Sequence, residues 1–455
     1  MRLHQVGRRL PRLHHPVVEP SRATLSKSIL RAFATSPPRP PRIVEHRHNC
    51  KIHYNGTSPE RWVSDLVRES SSTALLPYYF LPANYPQSVA PGYVAFSIRA
   101  WGASVAGSAA MVLSTQTLLL AVGVVGQASS SASILAGALN WVLKDGVGQL
   151  GGVLFASRVG EWKHLDADPK RYRLLAAMLL DVANGLEIAS PFVSSFLVLP
   201  LACVANVFKN IGFLTASASR AALHQALAIQ GNLADVTAKA GSQSLAASVV
   251  GTSLGIGIST LFGDHESVLS IFVVSFAGLS VLHQFGNYSS LSAVPLAHFN
   301  RQRLHIVLKH YLNRGKILSP SEVAKRERYI PGLRVADGSN RIVIGSTLET
   351  LCPRPKDWTA IAMASHPYAL QTREDTIHLT FFVQTTGDEM IRGLLHAMIL
   401  ERDGNADTLS ERAEQLPALL ETHGWKCSTE WTRLEPPGAV RLEVPLDREV
   451  ERPSR

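Results

Sequence analysis

Four stretches of the chain, 100–143, 188–208, 240–263 and 267–300, contain no Asp, Glu, Lys or Arg. Each reaches the roughly 20 residues that a helix needs to cross a bilayer. Such segments can be buried in a membrane bundle or in the core of a large soluble helical protein. Their density of Gly, Ala and Ser favours the membrane, because an interior Gly costs a soluble helix about 1 kcal/mol relative to Ala. Gly148-x-x-x-Gly152 and Gly251-x-x-x-Gly255 have the spacing that lets membrane helices approach closely. The expected fold is therefore mainly α, a multi-helix membrane-embedded core of four to seven spans.

After Pro331-Gly332 the pattern changes. Segments 341–345 and 376–383 read as strands, the second by strict alternation, and Thr386 to Glu389 opens a helix with the spacing of a capping box. The domain reading is a mitochondrial presequence at 1–34, a Pro-rich linker at 35–76, the helical membrane domain at 77–316, a linker at 317–336 and a small α+β domain at 337–455. At a shift of 95 residues, Leu139–Gly146 lies over Ala234–Gly241 and 171–192 over 266–287, matching Lys144 to Lys239 and Gly146 to Gly241. This suggests two repeated helical units, as many transporters have, against chance similarity of small-residue helices.

Net charge is +10, and residues 1–50 hold ten Arg and Lys against Glu19 and Glu45. The basic excess thus belongs to the leader rather than to a nucleic-acid surface. Arg-rich, acid-poor and broken by Pro11, Pro16 and Pro20, the leader fits an organelle transit peptide and not a secretory signal. The expected location is an organelle membrane, the mitochondrial one first, with another intracellular membrane as the alternative. Arg301, Arg303, Lys309, Arg314 and Lys316 follow the last window and are expected on the non-translocated side, against membrane lipid.

Ionisable residues within or beside the apolar windows are the candidate site: Lys144, Asp145, Asp181, Glu187, Lys209, Asp235 and Lys239. Charge at membrane depth is costly, so it pairs, faces a cavity or marks a path. Asp235 and Lys239 stand four apart and can pair on one helix face, while Asp181 and Glu187 need cations such as Lys144 or Lys209 from elsewhere. The competing reading puts several of them at helix ends in the headgroup layer.

No catalytic set is legible: G-x-S-x-G, H-E-x-x-H and the phosphate-binding G-x-x-x-x-G-K-[ST] are missing from the sequence. An enzyme is not expected, and no cofactor is specified. Gly146-x-Gly148-x-x-Gly151 matches a dinucleotide fingerprint but sits in a helical pattern without a preceding strand. His46, His48, Cys50 and His53 have metal-ligand chemistry without a second cluster to close a site. His224, His283, His298 and His305 each stand alone and read as hydrogen-bonded structural residues.

Several ordered blocks resemble the root UVB sensitive (RUS) family: Phe80–Ala83 with Tyr85–Val89, Leu113–Gln116, Trp141–Gly146, Ala205–Asn210 and Asn232–Gln243. Ala240 departs from the acidic residue that the resemblance leads one to expect. The resemblance covers about 77–330 and implies a membrane-associated protein whose plant relatives are linked to UV-B responses in roots, seedling development and vitamin B6 balance. It brings no settled chemistry. The expected activity is binding or transport of a small charged metabolite, with a membrane scaffold that recruits a protein partner or paralogue through its C-terminal domain as the alternative.

Overall fold

The computed structural model describes residues 42–47, 50–55, 79–122, 131–159, 164–263, 267–330, 341–354, 366–404, 411–436 and 439–443. The presequence expected at 1–34 and the side chains of the His46–His53 cluster lie outside the described residues. The chain divides into two units, 1–74 and 75–455. In the first, within the segment read as a linker, β1 (Arg42–Arg47) pairs antiparallel with β2 (Cys50–Asn55).

The second unit begins with six long helices: α1 (Tyr93–Ala121), α2 (Ser131–Val159), α3 (Pro169–Ile188), α4 (Ser195–Leu227), α5 (Leu233–Phe262) and α6 (Val268–Leu291). Four of them, α1, α4, α5 and α6, are long and apolar enough to cross a membrane. α2 and α3 have 29 and 20 residues, about 30 Å or more at 1.5 Å per residue, but carry charges.

The bundle runs up and down between two ends. At one, which we call the near end, the chain before α1 meets the α4–α5 junction: the Ala90 N–H donates to Leu227 O, and Gln230 Nε2 donates to Gln87 O. Leu291, Val294, Leu296 and Tyr329 join the same apolar cluster. At the far end, the last turn of α1 (Leu118) packs with Val193, Val198 and Ala202, and Leu113 clusters with Ile188 and Phe272.

The helices fall into two equivalent units, α1–α3 and α4–α6, whose packing is exchanged. α1 packs on α5 and α6 of the second unit, while α4 packs on α2 and α3 of the first. Tyr93 and Ser195 open their units 102 residues apart, and Ser131 and Leu233 are likewise separated by 102. The two G-x-x-x-G motifs stand 103 residues apart, within one residue of that offset. A Cβ on Gly148 would meet Asn206 and one on Gly152 would meet Asn210, both on α4; on Gly251 and Gly255 it would meet Val105 and Val112 of α1.

Two repeated units are thus present, but not in the 95-residue register that the sequence suggested. At the structural offset Lys144 falls on Ala246, not Lys239. Small-residue helices match one another in many registers, whereas the glycine contacts select one. Large apolar side chains point outward on these helices, among them Val153, Phe196, Leu245, Leu261, Val274 and Phe285, while Ala103, Ala106, Ala109 and Ala110 fill the centre. Small inside and large outside is the distribution suited to lipid around the bundle.

Beyond α6, β3 (Phe299–Asn300) leads into α7 (Arg301–Arg314). β4 (Ile342–Ile344), β5 (Tyr368–Arg373) and β6 (Thr376–Phe381) form a sheet of order β4-β6-β5, parallel at β4/β6 and antiparallel at β5/β6. α8 (Gly387–Asp403) starts at the expected Thr386–Glu389 capping box, α9 (Glu411–Thr422) follows, and β7 (Thr432–Arg433) pairs with β3. Leu304, Val307 and Leu308 of α7 enter the core of this α+β region beside Phe381, Leu394 and Trp425. The apolar face of α7 therefore belongs with the sheet, and Arg303, read from sequence as lipid-facing, is only 1% exposed.

Candidate functional site

Among the described residues, three cavities follow one another along the inside of the bundle. The near-end cavity, of about 70 Å³, is lined by Phe96, Ser97 and Ala100 of α1, Arg220, Leu223 and His224 of α4, and Gln243 of α5. The far-end cavity, of about 270 Å³, is lined by Val198, Leu199 and Ala202 of α4, Leu118, Ala121 and Val122 at the end of α1, and Trp141 of α2. Taken in that order the two sets correspond residue by residue at an offset of 102. Equivalent positions of the two units thus build one cavity at each end.

Between them lies a central cavity of about 250 Å³, bounded by Ser104, Ser108, Arg173, Asn184, Arg220 and His283 among others. Ser104, Arg173, Arg220 and Ser244 line both the central and the near-end cavity. The far-end cavity shares no lining residue with the central one.

Glu187 and Lys209, both sequence candidates, stand between those two compartments. Lys209 Nζ donates to Glu187 Oε2 at 2.5 Å, and Ser114 Oγ lies 2.9 Å from the same oxygen and 3.1 Å from Asn184 Oδ1. Glu187 is 1% exposed. Taking a carboxylate out of water is costly unless a cation and hydrogen-bond donors meet it. Toward the far end, Lys144 Nζ sits 3.0 Å from Asp145 Oδ1 and 4.4 Å over the Trp141 ring. Asn206 Nδ2 donates to both Lys144 O and Asp145 Oδ1, filling the space that Gly148 leaves open.

Asp181 takes neither lysine. His283 Nδ1 lies 2.9 Å from its Oδ1, and Gln284 Nε2 donates to its Oδ2 at 2.6 Å. The sequence reading of His283 as standing alone is corrected here, since its acid lies 102 positions away on another helix. Asp235 is at the near end, where its Oδ2 accepts from the Ala83 N–H at 2.7 Å, and Lys239 lies one turn further along α5. The structure therefore gathers Lys144, Asp145, Glu187 and Lys209 along one seam, sets Asp181 behind His283 of the central cavity, and places Asp235 and Lys239 toward the near end, away from that seam. Gly146, Gly148 and Gly151 lie within α2, where the last two seat it on α4 rather than forming a turn.

A second buried cluster was not legible. Glu327, in the segment read as a linker, accepts from Lys170 Nζ at 2.7 Å and from Arg303 Nη1 at 2.6 Å; Arg303 Nη2 also donates to Ala167 O. Burial alone would raise the Glu327 carboxyl, but Lys170 and Arg303 outweigh it and hold the group at about 2. Lys170 and Arg303 share this one carboxylate, each on a different oxygen. Burial also raises Asp168, which accepts from Asn300, and pushes His298 down to about 3, with Arg303 adding to that shift. These residues clamp the start of α3 to the start of α7. Among the described residues no group of three or more His, Cys, Asp and Glu is placed to hold a metal ion.

Two family models match this chain, one after the other. A model described as the vitamin B6 photo-protection and homoeostasis domain matches residues 67–315, and one described as the C-terminal part of root UVB sensitive proteins matches 316–434. RUS family member 1 of Dictyostelium discoideum is 35% identical over 57% of this chain and 48% of its own length. Protein root UVB sensitive 3 of Arabidopsis thaliana is 34% identical over 55% of each chain, and protein root UVB sensitive 2, chloroplastic, is 29% identical over 70% of this chain and 71% of its own. The chain thus spans about half the length of the first two relatives. No solved structure matches. With the first model covering more than half of the chain and the second following it directly, the chain belongs to the root UVB sensitive family.

Proposed function

We propose that the six helices form a membrane-embedded carrier that binds a small charged metabolite in the central cavity and passes it between the two ends. The observation that carries this reading is the pair of equivalent cavities at opposite ends of two exchanged three-helix units. Three crossings per unit invert the second unit relative to the first, the arrangement on which alternating access is built. α2 and α3, the counterparts of the apolar α5 and α6, then complete six spans, their charges turned inward onto the seam and the cavities.

In this arrangement the central cavity is continuous with the near end and closed from the far end by Glu187, Lys209 and Ser114. Transport requires that closure to open while the near end closes. The family model's description makes vitamin B6 forms the first substrates to test. The Arg-rich leader supports an organelle membrane, the mitochondrial one first; one relative is named chloroplastic, so plastids are the comparison in a tagged-protein localisation.

Uptake of radiolabelled pyridoxine and pyridoxine phosphate into proteoliposomes tests the reading. Saturable uptake above that of protein-free vesicles, reduced by Glu187→Gln, is expected. No uptake of either compound by protein that is correctly inserted and monodisperse would overturn the assignment of these substrates to the carrier.

A further inference from the structure

Arg173 of α3 and Arg220 of α4 line the same two cavities, and no carboxylate among the described residues lies within ion-pair distance of either. Arg173 Nη1 donates to Ala216 O at 3.3 Å, a contact that leaves its charge uncompensated. Asp181, behind His283 of the cavity lining, is engaged by His283 and Gln284. The buried lysines Lys209 and Lys144 of the bundle, by contrast, are paired, with Glu187 and Asp145 respectively.

The fold does not require these guanidiniums. At the 102-residue offset the position equivalent to Arg220 in the other unit is Leu118, a buried apolar residue, and the one equivalent to Arg173 is Ser275. One side of the pseudo-symmetry thus packs without these charges, while two cations are retained on the other. A cation inside a membrane bundle without a protein counter-ion marks a functional path.

We propose that Arg173 and Arg220 bind an anionic group, a phosphate or carboxylate, of the molecule that occupies the central cavity. Guanidinium presents a planar fork of N–H donors matched to both groups, and two forks on facing helices hold one anion from two directions. Ser104 and Ser244, which line both cavities, add hydroxyl donors on the way in from the near end, where Arg220 is exposed. The proposal deepens the carrier reading by naming the charge of its substrate.

The test is calorimetric titration of the full chain in nanodiscs of zwitterionic lipid with pyridoxine phosphate, pyridoxate and uncharged pyridoxine. These probes lack the aldehyde that would react with lysines. Tighter binding of an anionic probe than of pyridoxine is expected, with losses of roughly ten- to a hundredfold in Arg173→Gln and Arg220→Gln and partial rescue in the Lys variants. The order of the two anionic probes separates phosphate from carboxylate. Weaker arginine-dependent binding in nanodiscs containing phosphatidic acid would show a lipid headgroup competing for the same guanidiniums, which also supports an anion site.

Equal binding of all three probes, or anion binding indifferent to both Gln variants, would overturn the proposal. Arginine-dependent binding without vesicle uptake would keep the anion site and remove the carrier. Uptake unaffected by either substitution would keep the carrier and remove the site. Melting of the unliganded variants confirms that they remain folded.

Discussion

Gly148 and Gly251 are structural equivalents, the first seating α2 on Asn206 of α4 and the second seating α5 on the backbone of Val105 in α1. A Cβ at Gly148 would lie 2.3 Å from the Asn206 side-chain amide, and one at Gly251 would lie 2.3 Å from Val105 O. A side chain can swing aside; a helix carbonyl cannot.

Gly251→Ala is therefore expected to destabilise more than Gly148→Ala, by about 1–3 kcal/mol in the range of overpacked cores. Gly146→Ala, which meets no atom within 4 Å, is the control and should match or exceed the parent. Thermal melting of detergent-solubilised protein checks this. A Gly251→Ala variant as stable as Gly146→Ala would show that the close approach of α1 and α5 is wrongly placed.

The Glu187–Lys209 pair predicts a non-additive series. Removing either partner strands the other at depth and should cost about 3–5 kcal/mol, whereas Glu187→Gln with Lys209→Met should recover most of that loss. Melting of the two single variants and the double variant gives the comparison. Additive losses would mean that the two side chains do not pair.

The Glu327 cluster predicts acid lability. Its carboxyl is depressed from 4.5 to about 2 in the folded chain, so its contribution is fully present above the unfolded value and fades as pH falls from about 5 toward 2. Glu327→Gln should lower stability at neutral pH and flatten the acid limb of a melting-temperature profile. Parallel profiles for parent and variant would exclude Glu327 as a source of the pH dependence.

How much of this was legible follows from what each signal encodes. Hydropathy marks helices whose surfaces are uniformly apolar, and it found α1, α4, α5 and α6. α2 and α3 escape the same test because Lys144, Asp145, Lys170, Asp181 and Glu187 turn inward, an orientation that composition does not carry. Glu187 was recognised as needing a cation, and Lys209 is that cation; no local pattern could join Asp181 to His283 across 102 positions. Glu327 looked like part of a polar linker because its burial depends on Arg303 and Lys170 arriving from two distant helices. Arg220 carries a signal in the sequence: it is the sole Asp, Glu, Lys or Arg between Lys209 and Asp235.

The most direct test of two inverted units is the sidedness of their junctions. With Cys50, Cys203, Cys352 and Cys427 replaced by Ser, single cysteines are placed at Gln87, before α1, and at Phe192, between α3 and α4, in sealed proteoliposomes of one orientation. An impermeant thiol reagent added outside is predicted to label one of the two positions, and the other only after the vesicles are opened. Labelling of both from the same side would contradict three crossings between them and, with that, the carrier built on them.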